Sequence, residues 1–447
     1  MKRIWSGGIS TEGGPELSEL MTREDNSIDC LLVEYEIRGL IAYHIELSKS
    51  GVLKRDVSEH IIAGLIKLLD SGLKMEDGYE DVHSLVEDKL KEVTPAGSNL
   101  RVFLSRNDQS HHDIRSLYID ALLEISLKLV DIADTLNVKF RDSAGFMPGY
   151  THYRQAMPVS ISTYFDYIAT LLLQYSGDAM ALSTKLSEFC PLGYGSGYGS
   201  AINVDLHSLA TRLGYEKSYK NPVSGASTRG MDDLEVMFQV SRIMTFLSRI
   251  AQDFILFSSE EFGFLKLPDG YTTGSSLMPN KRNPDFLEMV QGYASESLGV
   301  LFSSFSIMIN KETGYHREMQ ISKDSVISFL SRLVLILEAF NGLATGMSVD
   351  GMKSSELIEN STNATMEAFS LFTGGIQWKD AYVAVGNKLR NGEKINSHDP
   401  VPMLSDSPEL SGELRKAIQT KMNYRNEARD QVIAIARQYF LAQNRQT

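Results

Sequence analysis

Apolar side chains recur along much of the chain at steps of three and four residues, the period of one face of an α-helix. The longest stripe predicts a helix about 40 Å long, and its apolar positions are Ile114, Tyr118, Ala121, Ile125, Leu129, Ile132, Leu136 and Phe140. Two more helices are predicted over residues 234–257 and from 286 to about 305. The 234–257 run is apolar over much of its circumference, as expected at the centre of a bundle or an oligomer.

Proline is scarce and clustered, which favours long helices. Only 12 prolines occur in 447 residues, and none falls within residues 16–94, 96–147, 159–190 or 285–399. Helix interiors exclude proline because it lacks an amide donor and clashes with the preceding turn. Strand-like alternation is rare, so we predict an all-α fold. Breakers suggest an N-terminal helical domain (1–104), a central helical bundle (105–353) and a C-terminal helical domain (354–447).

Composition excludes several classes of protein. The formal net charge of −13 argues against non-specific nucleic-acid binding and against attraction to anionic membranes, both of which need basic surface. Two cysteines cannot form a disulfide framework. No signal peptide follows Met1 and no run of 18 apolar residues occurs, so we expect a cytoplasmic protein without a membrane span.

A polar segment rich in breakers lies between Pro268 and Pro284 and combines hydroxyls, glycine and cations. Asn283 and Pro284 predict a helix start, with Asn283 as the cap and Pro284 at the first helical position. A helix N-terminus with Lys281 and Arg282 beside it suits a carboxylate. The plainer interpretation, a solvated loop with a good cap, is favoured by these features alone.

Three other segments carry candidate chemistry. Thr151-His152 places a histidine, the usual proton-transfer group near neutral pH, on an irregular turn. The segment 105–109 (Ser-Arg-Asn-Asp-Gln) offers an arginine and amides that can hold a carboxylate. Residues 315–323 form another polar cluster. Taken one at a time, each segment also fits an ordinary polar surface or helix start, and for His152 in isolation the plainer interpretation is favoured.

Metal and nucleotide motifs are missing from the sequence. The adjacent His111 and His112 point apart on a helix, and no His-Glu-x-x-His, Cys-x-x-Cys or Gly-Lys-Ser/Thr motif occurs. The alternate glycines from Gly193 to Gly199 do not match the dinucleotide fingerprint. These motifs therefore give no reason to expect a metal or nucleotide site.

Taken together, these segments resemble the fumarase/aspartase superfamily of lyases. The most specific match is residues 274–284, Gly-Ser-Ser-Leu-Met-Pro-Asn-Lys-Arg-Asn-Pro, which we call the signature loop. Residues 105–109 and the pattern Tyr315, Arg317, Gln320, Lys323 point to the argininosuccinate branch. Thr151-His152, Pro191-Leu192-Gly193 and the segment 80–83 also resemble family segments, and the matches extend from Asp29 to about Gly386.

The resemblance implies three helical domains, a homotetramer whose long helices share one core, and active sites built from three subunits. It implies reversible β-elimination of argininosuccinate to arginine and fumarate, the last step of arginine biosynthesis, without a metal or cofactor. Ser275 would be the base, with His152, Glu288 and Lys281 also catalytic. Substrate-binding residues would be Asp29, His83, Ser105, Arg106, Asn107, Thr151, Asn283, Tyr315, Arg317, Gln320 and Lys323.

The chain departs from the family pattern at several positions. Phe103-Leu104 replace Gly-Arg, Arg154 and Gln155 are exchanged, and Asp25 stands where a serine is expected, with Ser27 nearby. These departures leave two alternatives to argininosuccinate cleavage: a superfamily lyase acting on another succinyl or aspartyl substrate, or a non-catalytic scaffold derived from such a lyase.

Overall fold

The computed structural model describes residues 28–397 and 405–443. Asp25, Ser27 and the segment examined for a signal peptide lie outside the described residues. The helices are α1 (Val33–Ser50), α2 (Arg55–Asp70), α3 (Val82–Val93), α4 (Arg106–Phe140), α5 (Ile161–Leu186), α6 (Leu206–Arg212), α7 (Pro222–Ser227), α8 (Met231–Ser258), α9 (Asp285–Met308), α10 (Met319–Gly346), α11 (Gly351–Glu356), α12 (Ala364–Thr373), α13 (Trp378–Arg390) and α14 (Ser407–Gln443).

Short strands and 3₁₀ turns connect the helices. The strands are β1 (Phe146–Thr151), β2 (Arg154–Ser160), β3 (Phe189–Cys190), β4 (Lys217–Ser218), β5 (Leu265–Lys266), β6 (Thr273–Gly274), β7 (Arg282–Asn283) and β8 (Ser348–Val349), and the 3₁₀ turns are Pro95–Asn99, Asp269–Tyr271 and Asn360–Asn363. The strands form four two-stranded sheets, of which only β3 with β4 is parallel.

The predicted all-α fold is confirmed, and the three predicted helices correspond to α4, α8 and α9. Helix α4 begins eight residues before the apolar stripe because Ser105 and Asp108 form a capping box at its start. The proline-free segments 159–190 and 285–399 contain α5 and α10. The period of the apolar residues thus located three of the long helices, whereas α14, the longest at 37 residues, was not predicted.

The expectation of an irregular turn near residues 147–152 is wrong in part, because β1 and β2 form an antiparallel hairpin there. Pro148 pairs with Pro158, and the register shifts between Pro148 and Tyr150. A Cβ on Gly149 would lie 2.7 Å from the Met157 carbonyl oxygen, so this irregularity requires glycine. Proline and glycine, which in the sequence indicate breaks in regular structure, mark a bulged hairpin here.

A row of phenylalanines joins the five long helices of the central bundle. Phe140 of α4 stacks on Phe165 of α5 with ring centroids 3.8 Å apart. The row continues to Phe254 of α8 at 6.2 Å, then to Phe340 of α10 at 6.2 Å, and ends at Phe286 of α9 at 6.4 Å. Aromatic pairs at these separations add to the burial of apolar area, so the row holds all five helices together.

The terminal elements pack unequally on this bundle. Helices α12 and α13 pack on each other around a small separate core of Ala368, Val385 and Ile395. Helix α14 instead lies against α1, α2, α4 and α5. The domain bounds at 104 and 353 stay a prediction, and the last helix contacts both of the preceding units.

Helix α10 is, within the described residues, the one helix long and apolar enough to cross a membrane by length and composition. Half of its apolar window is buried inside the protein. It packs against α4, α8 and α9, and it carries Lys323 and Arg332. A buried core helix passes the same test of length and composition.

Replacing Phe254 with alanine should remove the middle of the phenylalanine row and lower the free energy of unfolding by about 3–5 kcal/mol. Phe254 is fully buried, whereas Val138 on the surface of α4 is 87% exposed. Urea unfolding followed by circular dichroism measures the change, with Val138→Ala as the control that should stay within about 0.5 kcal/mol. A loss below 1 kcal/mol for Phe254→Ala would contradict a packed row.

Candidate active site

Ser275 is the first residue of the loop that joins β6 and β7 in a small hairpin. Thr273 pairs with Asn283 and Gly274 with Arg282, which makes the signature loop a closed turn. The Ser275 Oγ accepts hydrogen bonds from the backbone N–H of Leu277 (3.3 Å) and of Met278 (3.1 Å). Two N–H groups that point at one hydroxyl oxygen form a site that stabilises negative charge on that oxygen.

The base of this hairpin is fixed to the bundle. The Thr273 hydroxyl donates a hydrogen bond to the Asp285 carboxylate in the first turn of α9. Tyr271 packs edge-on against Phe286, the last residue of the phenylalanine row. A Cβ on Gly342 would lie 1.9 Å from the Tyr271 hydroxyl, so α10 can approach Tyr271 only with glycine there. The hairpin tip is exposed on a rigid base.

The prediction that Asn283 caps α9 is wrong. Helix α9 begins at Asp285 after Pro284, and no side chain caps its N-terminus. Asn283 cannot act as the cap because its backbone is held in the strand pair with Thr273. Lys281 is exposed, and within the described residues its ammonium group has no hydrogen-bond or ion-pair partner. Glu288 is also exposed, one turn into α9.

His152 is exposed at the two-residue turn of the β1–β2 hairpin. His152 has φ of +53° and Tyr153 has φ of +57°. Positive φ at both central residues is what a two-residue type I′ turn requires, and a tyrosine there is strained. Thr151 and Arg154 pair across the turn, and both are exposed. A strained, exposed turn is a common position for a functional histidine.

Gln155, one of the two exchanged residues, has a structural role. Its amide nitrogen donates to the Leu357 carbonyl at 2.8 Å, and its amide oxygen accepts from the Glu359 N–H at 2.9 Å. Gln155 therefore fastens β2 to the segment before the 3₁₀ turn Asn360–Asn363, and Arg154 remains on the exposed side of the hairpin.

The start of α4 holds three predicted site residues. The Ser105 hydroxyl accepts from the Asn107 N–H, so this hydroxyl is occupied as a helix cap. Arg106 contacts Glu80 at 3.2 Å and Asp81 at 3.1 Å through Nη1. Burial alone would raise the pKa of Asp81, but His83 and Arg106 lower it below its usual value. Arg106 is thus held beside α3 by its ion pairs with Glu80 and Asp81.

Asp108 completes this cap from inside the protein. Its carboxylate accepts from the Ser105 N–H at 2.9 Å and from the N–H groups of Gly193 (3.0 Å) and Gly195 (2.9 Å). Burial raises the pKa of Asp108 to about 7, and these N–H donors oppose that shift. Asp108 therefore connects the start of α4 to the glycine-rich segment near residue 195.

Asp29, Lys323 and Arg317 lie near the same end of α3. The Lys323 ammonium group donates to Asp29 at 3.0 Å, and the other oxygen of Asp29 accepts from the Val82 N–H at 2.9 Å. Asp29 and Lys323 are both 2% exposed. Arg317 contacts Glu80 at 3.3 Å, so Glu80 bridges Arg317 and Arg106.

Arg229 was not a candidate from the sequence, yet it touches two predicted site residues. Its guanidinium lies over the Tyr315 ring at 4.2 Å, and it donates to the Gln320 side-chain oxygen at 3.1 Å. No local motif marks Arg229, which precedes the Gly230 cap of α8. Only the packing of α8 against α10 brings it to this position.

His83, Glu36 and Asp113 form a buried cluster with possible metal ligands within 4.8 Å of one another. His83 Nδ1 lies 3.1 Å from Glu36 and 4.0 Å from Asp113. Burial and the nearby Glu36 carboxylate raise the pKa of Asp113 well above its usual value. A proton held by Asp113 accounts for two carboxyl groups packed this closely. Glu36 and Asp113 were not candidates from the sequence.

The predicted site residues therefore occupy three places on one chain. The β6–β7 hairpin and the residues beside it hold Ser275, Lys281, Asn283 and Glu288. The β1–β2 hairpin holds Thr151 and His152. The remaining residues lie around α3, the start of α4 and the start of α10: Asp29, His83, Ser105, Arg106, Asn107, Tyr315, Arg317, Gln320 and Lys323. Within residues 28–397 and 405–443, the side chains of His152 and Glu288 are not paired. Chemically, the three places offer an activated hydroxyl, an exposed imidazole and a group of cations.

The comparisons with known proteins agree with one another. A family model described as lyase matches residues 14–299. The argininosuccinate lyase of Thermotoga neapolitana is 31% identical over 398 residues, covering 87% of this chain and 98% of that protein. The argininosuccinate lyase of Clostridium botulinum is 30% identical over 435 residues, covering 95% of this chain and 97% of that protein.

Among solved structures, a variant of EDDS lyase with bound fumarate superposes with a TM-score of 0.75. The match covers 98% of this chain and 96% of that one at 19% sequence identity, which shows the fold. From the family match and these two relatives, we conclude that this chain belongs to the lyase family and is an enzyme of the carbon–nitrogen lyase class.

Proposed function

We propose that this lyase cleaves argininosuccinate reversibly into arginine and fumarate. The observation that carries the proposal is the similarity, at about 30% identity over most of the chain, to relatives named argininosuccinate lyase. The intact signature loop supports it, because a scaffold without activity has no need of a hydroxyl held by two N–H donors. The arrangement around Ser275 suits proton abstraction next to a carboxylate.

Ser275 acts as the base in this proposal. After its hydroxyl proton is lost to solvent, the Ser275 alkoxide takes the proton from the succinyl carbon next to the carbon that bears nitrogen and becomes a neutral hydroxyl again. A serine hydroxyl is a weak base unless its alkoxide is stabilised. The N–H groups of Leu277 and Met278 already point at this oxygen, and Lys281 lies on the same hairpin. These groups would stabilise the alkoxide most strongly once bound substrate excludes water.

Loss of that proton leaves a carbanion whose charge spreads into the adjacent carboxylate. Lys281 and Asn283, with Arg106, Asn107 and Thr151, would neutralise the two carboxylates of the succinyl part. The electron pair then forms the double bond of fumarate as the carbon–nitrogen bond breaks. The nitrogen keeps the bonding pair and receives a proton, which gives arginine. Fixed cations are the largest available source of stabilisation for such a dianion.

His152 and Glu288 would act on the side of the leaving nitrogen, with His152 donating or relaying the proton. Tyr315, Gln320, Lys323, Asp29 and His83 would position the arginine part of the substrate. Ser105 would contribute through the cap that fixes Arg106, since its hydroxyl already accepts a backbone N–H. Arg317 would act beside Glu80.

The active site would be shared between subunits of a homotetramer. Helix α9 buries Leu287, Val290 and Ala294 on one face, yet its other face exposes Phe302 (67%) and Phe305 (45%). Further large apolar side chains are exposed on α8 and α10: Phe238, Ile321 and Leu335. Apolar faces of this kind mark interaction surfaces. Assembly through them would bring the hairpins of one subunit to the cations of another.

Purified protein mixed with argininosuccinate should produce fumarate, which ultraviolet absorbance detects. No signal above buffer would reject the proposal. Fumarate released from adenylosuccinate, aspartate or an amine-linked succinate, without activity on argininosuccinate, would instead assign another superfamily substrate. Inactivity on all of these would favour a scaffold.

Ser275→Ala should lower turnover by at least about a thousandfold because it removes the hydroxyl that the Leu277 and Met278 N–H groups hold. Circular dichroism and light scattering should be unchanged, since the hydrogen bonds of the Ser275 side chain within the described part of the chain stay inside its own loop. Ser276→Ala, the neighbouring exposed hydroxyl, is the matched control and should lose less than about tenfold. Near-normal turnover of Ser275→Ala would reject Ser275 as the base.

Phe302→Glu should weaken assembly because it places a charge on the exposed apolar face of α9. Light scattering should show a tetramer for the unaltered protein and smaller species for this variant, with activity lost in parallel. Val138→Glu, on an exposed part of α4, is the control and should remain tetrameric. A monodisperse, fully active monomer would contradict shared sites.

Subunit mixing tests the sharing directly. Ser275→Ala and His152→Asn should each be inactive when assembled alone. After mild dissociation and joint reassembly, some mixed tetramers contain a site with both residues intact, so measurable activity should return. If both residues of a site came from one subunit, the mixture would stay inactive.

A further inference from the structure

Four arginines from three helices line a small pocket away from the proposed catalytic groups. Arg38 comes from α1, Arg212 from α6, and Arg425 and Arg429 from α14, while Ser116 and His112 of α4 line its floor. We call this the arginine pocket. It lies where the last helix of the chain closes against the first described helix and the central bundle.

The carboxylates around the arginine pocket do not balance its cations. Asp120 is shared by Arg425, at 2.7 Å, and Arg429, and it also accepts from Tyr35. Arg38 pairs with Glu34 at 2.5 Å, and Arg212 with Glu46 at 2.5 Å; Glu46 also binds Lys49 at 3.0 Å. Four guanidinium groups thus meet three carboxylates in the described part of the chain, and one carboxylate is shared with a lysine.

Several arginine donors of the pocket have no hydrogen-bond acceptor among the residues that the structure describes. Arg425 is 5% exposed, and its Nη1 is buried without a hydrogen-bond partner, although Nε donates to Asp120. Arg38 Nε and Nη1 are likewise buried and without a partner. A buried donor without an acceptor costs free energy, and buried polar groups in proteins nearly always have partners. These donors therefore point to an acceptor that residues 28–397 and 405–443 do not provide.

His112 adds no positive charge to the arginine pocket. Burial, together with the nearby Arg425, lowers the pKa of His112 to about 3, so the imidazole is neutral at physiological pH. Its Nδ1 lies 3.5 Å from the Tyr215 hydroxyl, which in turn contacts Ser116 at 2.9 Å. The positive charge of the pocket therefore comes from the arginines.

We propose that the arginine pocket binds a compact monovalent inorganic anion of about the size of chloride. The cavity volume is about 20 Å³, enough for one or two water-sized occupants. An anion there would accept from Arg425 Nη1 and from Arg38 and would neutralise the excess positive charge. It would strengthen the contact of α14 with α1. This proposal is independent of the catalytic activity.

Thermal unfolding tests the site in the full-length protein at constant ionic strength. Chloride should raise the Tm by about 1–3 °C over gluconate, which is too large for the cavity, and the rise should saturate with concentration. Screening alone would give the same Tm in both salts. Equal Tm values, or a rise that does not saturate, would overturn the proposal. A larger saturating effect of inorganic phosphate would overturn the assignment to a compact monovalent anion.

Arg38→Gln removes two of the unpaired donors and one positive charge. It leaves intact the ion pairs of Asp120, in α4, with Arg425 and Arg429 of α14. Its chloride-specific rise in Tm should vanish. Arg55→Gln is the matched control, because Arg55 also pairs with a glutamate four residues away, Glu59, at 2.8 Å, but lies outside the pocket. Arg55→Gln should keep the whole rise. A chloride effect retained in Arg38→Gln would reject the pocket as its source.

Crystals soaked in bromide provide a direct observation. An anomalous peak within about 3.5 Å of Arg425 Nη1 is expected in the unaltered protein and not in Arg38→Gln. A map of the unaltered protein with no peak in the pocket would overturn the proposal even if the Tm values differed.

Discussion

The phenylalanine row through the central bundle is the constraint on which the rest of the structure depends. Burial of apolar area drives helices together without specifying direction, whereas interlocking rings fix how the helices meet. The row ends at Phe286, and Phe286 packs on Tyr271 at the base of the hairpin that carries Ser275. The hydroxyl proposed to take the substrate proton is therefore positioned by the core of the bundle.

Positive side chains are held at particular places in the structure although the net charge of the chain is negative. Arg115 forms a buried pair with Asp232 at 2.7 Å below the start of α8, and Arg115 with nearby His111 holds the pKa of Asp232 at about 2 despite burial. Buried pairs of this kind are costly to break and contribute more to position than to net stability. Arg229, at the end of the loop before α8, lies over the Tyr315 ring. An acidic protein can in this way present cations to an anionic substrate.

The candidate site could be predicted where its chemistry is local in sequence. The signature loop places Ser275, Lys281 and Asn283 within nine residues, so their proximity needs no tertiary information. The prediction that Asn283 caps α9 was wrong because the Asn283 backbone pairs with Thr273, a longer-range contact. Arg229 and Asp113 could not be predicted, since each depends on partners from other helices.

The sequence by itself determined the positions of α4, α8 and α9 and the identity of the signature loop, because both are encoded in residues a few positions apart. The tertiary structure alone decided the pairing of Asp29 with Lys323, which are 294 residues apart, and that of Arg317 with Glu80, which are 237 apart. It also decided that arginines of α1, α6 and α14 share one pocket. Helical periodicity specifies which face of a helix is apolar, and only packing selects the helix that covers it.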